Sequence, residues 1–73
     1  MKQYFWRNRF NGVESDGPFD TPELARAEAV NLYDEMRGGF ALGIVIVDEE
    51  NMIVAEGHIH DSRWHDGPRR TVP

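Results

Sequence analysis

Only one stretch of this 73-residue chain is bounded at both ends as a helix, and it divides the sequence into two strand-forming parts. Thr21 offers a side-chain oxygen as N-cap, Pro22 suits the first helical position, where its missing N–H is not needed, and Glu23 complements the positive end of the helix dipole. Residues 22–37 are good helix formers, and Gly38-Gly39 provides the stop. At about 100° per residue, Ala25, Ala29, Leu32, Tyr33 and Met36 fall on one face, the expected core face. Glu23, Glu28, Asn31, Asp34 and Glu35 fall on the opposite arc, which is expected to be an acidic outer face.

Strands flank this helix. Residues 4–10 are aromatic-rich, and Asn11-Gly12 is a two-residue hairpin signal of the type I′ kind, leading to a short return strand over residues 13–16 that Gly17-Pro18 ends. Tyr4, Trp6 and Phe10 are expected toward the core, with Phe5, Arg7 and Arg9 outward. Residues 41–47 are apolar on both faces and β-branched, as in a central strand. A polar turn, Asp48-Glu49-Glu50-Asn51, leads to a strand over residues 52–60, with Ile53, Ala55 and Ile59 on one face and Val54, Glu56, His58 and His60 on the other. The expected class is α+β: a four-stranded antiparallel sheet in the order β-β-α-β-β with one helix packed on one face. Residues 1–61 read as a single domain, and residues 62–73, which lack periodicity, read as a flexible tail that Trp64 could pin. A chain of this length buries about 60% of its unfolded surface, so a single thin core between sheet and helix is expected.

Charge separates along the chain. Residues 1–10 carry +3 and residues 63–73 carry +2, while residues 11–62 hold twelve acids against Arg26 and Arg37, a balance of −10 that leaves −5 overall. An acidic body repels nucleic acid and attracts basic surfaces. The chain has no cysteine, which excludes disulfides, thiolate catalysis and cysteine-ligated zinc, and favours a reducing, cytoplasmic setting. Its longest apolar run, residues 40–47, is far below the length of a membrane span, and the N-terminus lacks the apolar core of a signal peptide.

Chemistry-bearing constellations are sparse. His58 and His60 are two apart on a strand and could place both imidazoles side by side toward a metal, with Glu56 on the same face. Without a firmly placed third ligand they read as solvated histidines, so no metal and no cofactor are expected. Ser15 and Ser62 lack a nucleophile elbow, Lys2 is the only lysine, and Gly38-Gly39 follows a helix rather than opening one. No enzyme is expected. The interleaved aromatics and arginines of residues 4–10 are also compatible with a small single-stranded nucleic-acid-binding module, although the acidic body opposes it. The acidic groups Glu23, Glu28, Asp34 and Glu35 on the helix and Asp48, Glu49 and Glu50 on the turn are the candidate partner-binding residues, able to imitate a row of phosphates.

The succession Thr21, Ala25, Ala29, then residues 39–48 (GFALGIVIVD), Ile53-Val54-Ala55 and Arg63-Trp64 resembles the small anti-CRISPR proteins of bacteriophages over residues 21–66. The resemblance is one of pattern and size and transfers no individual residue. It implies a non-catalytic inhibitor, in the cytoplasm of a bacterial host, that binds a CRISPR effector complex and blocks nucleic-acid access or nuclease recruitment. The channel of such machines is basic, in keeping with an acidic ligand. Direct binding to nucleic acid and to membranes is not expected, and the chain would act as a monomer or a homodimer joined at edge strands. An interaction domain without inhibitory activity is the plainer alternative.

Overall fold

The computed structural model of the chain describes residues 2–33, 43–58 and 63–70. Its elements are β1 (Tyr4–Asn8), α1 (Pro22–Tyr33), β2 (Ile44–Asp48), β3 (Met52–His58) and β4 (Arg63–Arg70). The four strands form one antiparallel sheet in the spatial order β1-β2-β3-β4, and α1 packs on β1 and β2. The fold is therefore a small α+β domain, as expected, but the chain order is β-α-β-β-β.

Two departures explain the difference in order. Residues 13–16 return beside β1 without forming a strand: Asn8 N donates to Val13 O at 2.8 Å and Ser15 N to Trp6 O at 3.0 Å, and isolated bridges join Arg7 to Glu14 and Tyr4 to Phe19. Gly17-Pro18 interrupts this run, because proline has no N–H for a ladder. The turn is also longer than the Asn-Gly signal implied. Gly12 has φ +76°, whereas Asn11 is not in the positive-φ region that a type I′ turn requires, and four residues separate Asn8 from Val13. Phe10 consequently lies in the loop and is 66% exposed rather than directed into the core.

The second departure is at the other end, where residues 63–70 were expected in the tail and instead form β4. Little in RWHDGPRR favours a strand, so the state comes from pairing with β3, from His58 opposite Arg63 to Met52 opposite Arg70. Trp64 packs against the main core, and Arg26 of α1 lies 4.8 Å over its ring while pairing with Asp66 at 2.6 Å. A register shift between Asp66 and Arg69, where Gly67-Pro68 sits, irregularises this outer edge and lessens its capacity to pair with another strand.

The helix starts as its sequence dictates, with Leu24 N donating to Thr21 Oγ1 at 3.2 Å. Ala25 and Ala29 are fully buried and let α1 sit close to Trp6, Ile44, Ile46 and Ala55. Tyr33 meets Trp6 edge-on at 5.3 Å. Leu32 does not join this core and is 61% exposed. Met36 and Gly38-Gly39 lie outside the described residues.

The sheet is buried on both faces, contrary to the single core expected. Val45 and Val47 alternate with Ile44 and Ile46 along β2, so they point away from the helix, yet each is only 3% exposed. They cluster with Ile53 and half-buried Phe5. The alternation expected for β3 breaks here: Ile46 pairs with Ala55 but Val47 with Ile53, leaving Val54 as an extra residue. Ile53 and Ala55 thus serve opposite faces, and Val54 packs against the helix-side core.

Candidate functional site

The acidic residues divide according to what lies within reach of each carboxylate. Glu28, assigned by the helical wheel to the outer acidic face, turns toward the sheet and accepts the Trp6 indole N–H at 2.8 Å. A buried indole needs such an acceptor, so Glu28 is held by the core and is only partly exposed.

Asp48 is likewise part of the scaffold. It is 4% exposed, and its Oδ1 accepts both Glu50 N and Met52 N at 2.9 Å while its Oδ2 meets Lys2 Nζ at 3.2 Å. The turn is completed by Asn51 N donating to Asp48 O at 2.9 Å, with Asn51 at φ 65°, a conformation that asparagine tolerates better than most residues. Burial pushes the Asp48 carboxyl up, but the Met52 N–H, the Lys2 ammonium and the Glu50 N–H together outweigh it and hold the group below its ordinary 3.8. The Asp48 carboxylate in turn raises Lys2 above its usual value.

A carboxyl depressed on folding stabilises the protein above its unfolded pKa, and that contribution is lost as pH falls through the lower folded value. Stability is therefore expected to decline below about pH 4. The acid limb of a urea-midpoint versus pH curve should be shallower in Asp48→Asn, and an unchanged limb would contradict this assignment.

On the face away from the helix, two arginines tie β1 to neighbouring segments. Arg7 Nε donates to Glu14 at 2.6 Å and Arg7 Nη2 to Asn51 Oδ1 at 3.0 Å. Arg9 Nη1 reaches Glu56 at 3.1 Å, from the end of β1 to β3, and so passes over β2, where Val45 lies opposite Glu56. Arg7 lines the same cleft as Phe5 and Val47, and the guanidinium groups of both arginines meet acceptors on this face. The aromatic–arginine pattern of β1 thus has an internal use. Its signal in the sequence was the alternation of Phe5, Arg7 and Arg9, which placed them on one face without naming their acceptors.

Three of the seven candidate carboxylates remain outward: Glu23, Glu49 and Glu50 are exposed, and with Asp16 and Asp20 they have no basic group within salt-bridge distance among the described residues. Topology gathers most of them. Tyr4 opens β1 opposite Asp48 and also bridges Phe19, so Asp20, Glu49 and Glu50 share one end of the sheet, and α1 starts there with Glu23 in its first turn. Asp34 and Glu35 lie outside the described residues.

The histidine pair is not brought into a described site. His58 closes β3, His60 lies outside the described residues, and no group of three or more His, Asp or Glu side chains able to hold a metal occurs among the described residues. No helix among them is long and apolar enough to cross a membrane. Comparison of the chain with protein-family models, with curated proteins and with solved structures finds no match.

Proposed function

We propose that this chain is a non-catalytic inhibitor of the phage anti-CRISPR kind, acting in the bacterial cytoplasm by docking an acidic surface onto a basic groove of a CRISPR effector complex. One observation carries this reading. Among the described residues Glu23, Glu49 and Glu50 are exposed with no basic group within salt-bridge distance, whereas Lys2, Arg7, Arg9 and Arg26 are each paired with a carboxylate. These pairings use equal numbers of cations and carboxylates, so the full net charge of −5 remains for a partner to meet. Glu28 and Asp48 leave the partner-binding set because Glu28 Oε2 and both Asp48 carboxylate oxygens accept hydrogen bonds inside the fold. Asp34 and Glu35 stay in it on sequence grounds.

Nucleic-acid binding through Arg7 and Arg9 is less favoured, because each phosphate contact would first have to displace Glu14, Asn51 or Glu56. The test is target-DNA cleavage by a panel of reconstituted CRISPR effectors, titrated with the wild-type chain and with the Glu23→Lys, Glu49→Lys, Glu50→Lys triple variant. Like charges set against a basic groove cost several kcal/mol, so inhibition should weaken about a hundredfold or more while the variant stays folded by circular dichroism. Full inhibition by the folded variant would exclude the acidic surface as the means of binding.

A further inference from the structure

A cleft of about 220 Å³ opens on the helix-free face, between the Arg7–Glu14 pair and the β2–β3 turn. Phe5 and Val47 supply its apolar part, and Arg7, Glu14, Asp48, Glu49 and Asn51 its polar part. Its size is below the roughly 300–1,000 Å³ of sites that enclose small-molecule ligands, and suits a single side chain.

The charges around it leave one unmatched. Arg7 pairs with Glu14 at 2.6 Å and Lys2 with Asp48 at 3.2 Å. Glu49, whose Oε1 accepts only the backbone N–H of Gln3 at 3.2 Å, has no cation among the described residues. The wall is thus one positive charge short, above an aromatic and an aliphatic side chain.

We infer that this cleft receives one arginine side chain of a protein partner, its guanidinium meeting Glu49 and its stem lying on Phe5 and Val47. Arginine fits better than lysine because its weakly hydrated, planar group can pair with a carboxylate and stack on an aromatic ring at once. The inference rests on the reading of the chain as a protein-binding inhibitor and specifies the chemistry of the residue engaged. A lone side chain supplies one exposed ion pair and a small apolar contact, so the affinity of an isolated peptide is expected in the millimolar range.

The test is titration of the ¹⁵N-labelled chain with the acetylated, amidated tripeptide Gly-Arg-Gly, and in parallel with Gly-citrulline-Gly, which keeps the shape without the charge. The expected result is saturable amide shifts confined to Phe5, Val47, Glu49 and Asn51, absent with citrulline and about fivefold weaker in Glu49→Gln. Glutamine at this exposed position retains an oxygen for the Gln3 N–H, so the fold is not at stake. Equal shifts with citrulline, undiminished binding in Glu49→Gln, or shifts spread equally over Asp16, Asp20 and Glu23 would overturn the inference. If the peptide fails while the triple charge reversal abolishes inhibition, the arginine site falls and the inhibitor reading stands. If the peptide binds as expected while the triple variant still inhibits, the site stands and that reading falls.

Discussion

Replacing Trp6 with alanine is expected to remove about 3–5 kcal/mol of stability, a large share of the roughly 4–11 kcal/mol that a 73-residue domain possesses. Trp6 is 3% exposed and joins three parts of the structure: it lies on β1, meets Tyr33 of α1 edge-on at 5.3 Å, and donates its indole N–H to Glu28 at 2.8 Å. Truncation leaves a cavity between sheet and helix and also strips Glu28 of its donor. In urea unfolding followed by far-ultraviolet circular dichroism, Trp6→Ala should be largely unfolded at low denaturant. A loss below about 1 kcal/mol would mean that the helix does not dock through this residue.

The second large effect is expected on the opposite face. Val47 is 3% exposed, faces away from the helix, and clusters with Phe5, Val45 and Ile53. Were that face open to water, a charge there would change stability by less than about 0.5 kcal/mol. Because it is buried, Val47→Asp should cost about 3–5 kcal/mol. Arg7, which lines the same cleft as Val47, already serves Glu14 and Asn51, and Asp48 and Glu49 follow directly in the chain, so the new carboxylate gains little compensation. A wild-type urea midpoint in Val47→Asp would show the second cluster to be dispensable.

How much of this was legible in the sequence depends on whether the determinant was local. The Thr21-Pro22-Glu23 start of α1 is cap chemistry and needs only neighbouring residues, and β2 is marked by its own β-branched run. The strand order was misread because Asn11-Gly12 resembles a two-residue turn, while the loop closes through side chains: Asn8 Oδ1 accepts Phe10 N at 2.8 Å and Asn11 Oδ1 accepts Val13 N at 2.9 Å. β4 was not legible, since its state comes from β3 as a partner and its Gly67-Pro68 pair reads as a breaker.

The acidic surface shows the same division. A helical wheel places Glu28 outward because it treats the helix alone, and the Trp6 indole that turns it inward is 22 positions away in the chain. Asp48 reads as one of three solvated carboxylates, although an aspartate at the head of a tight turn is well placed to take the N–H groups two and four residues ahead. Glu49 and Glu50, beside it in sequence, point to solvent. Charge counting does not separate the carboxylates held inside the fold, Glu28 and Asp48, from the exposed Glu23, Glu49 and Glu50.

The proposal that acids of this chain fall into two kinds, those bound into the fold and those left for a partner, can be tested without any partner. The measurement is the urea unfolding free energy of three single variants, Glu28→Ala, Asp48→Ala and Glu50→Ala, at neutral pH. The first two should each lose about 1–3 kcal/mol, because Trp6 N–H, or the Glu50 and Met52 N–H groups and Lys2, lose their acceptor, while Glu50→Ala should stay within about 0.5 kcal/mol of wild type. Three variants equal to wild type would return Glu28 and Asp48 to the solvated surface and contradict the division.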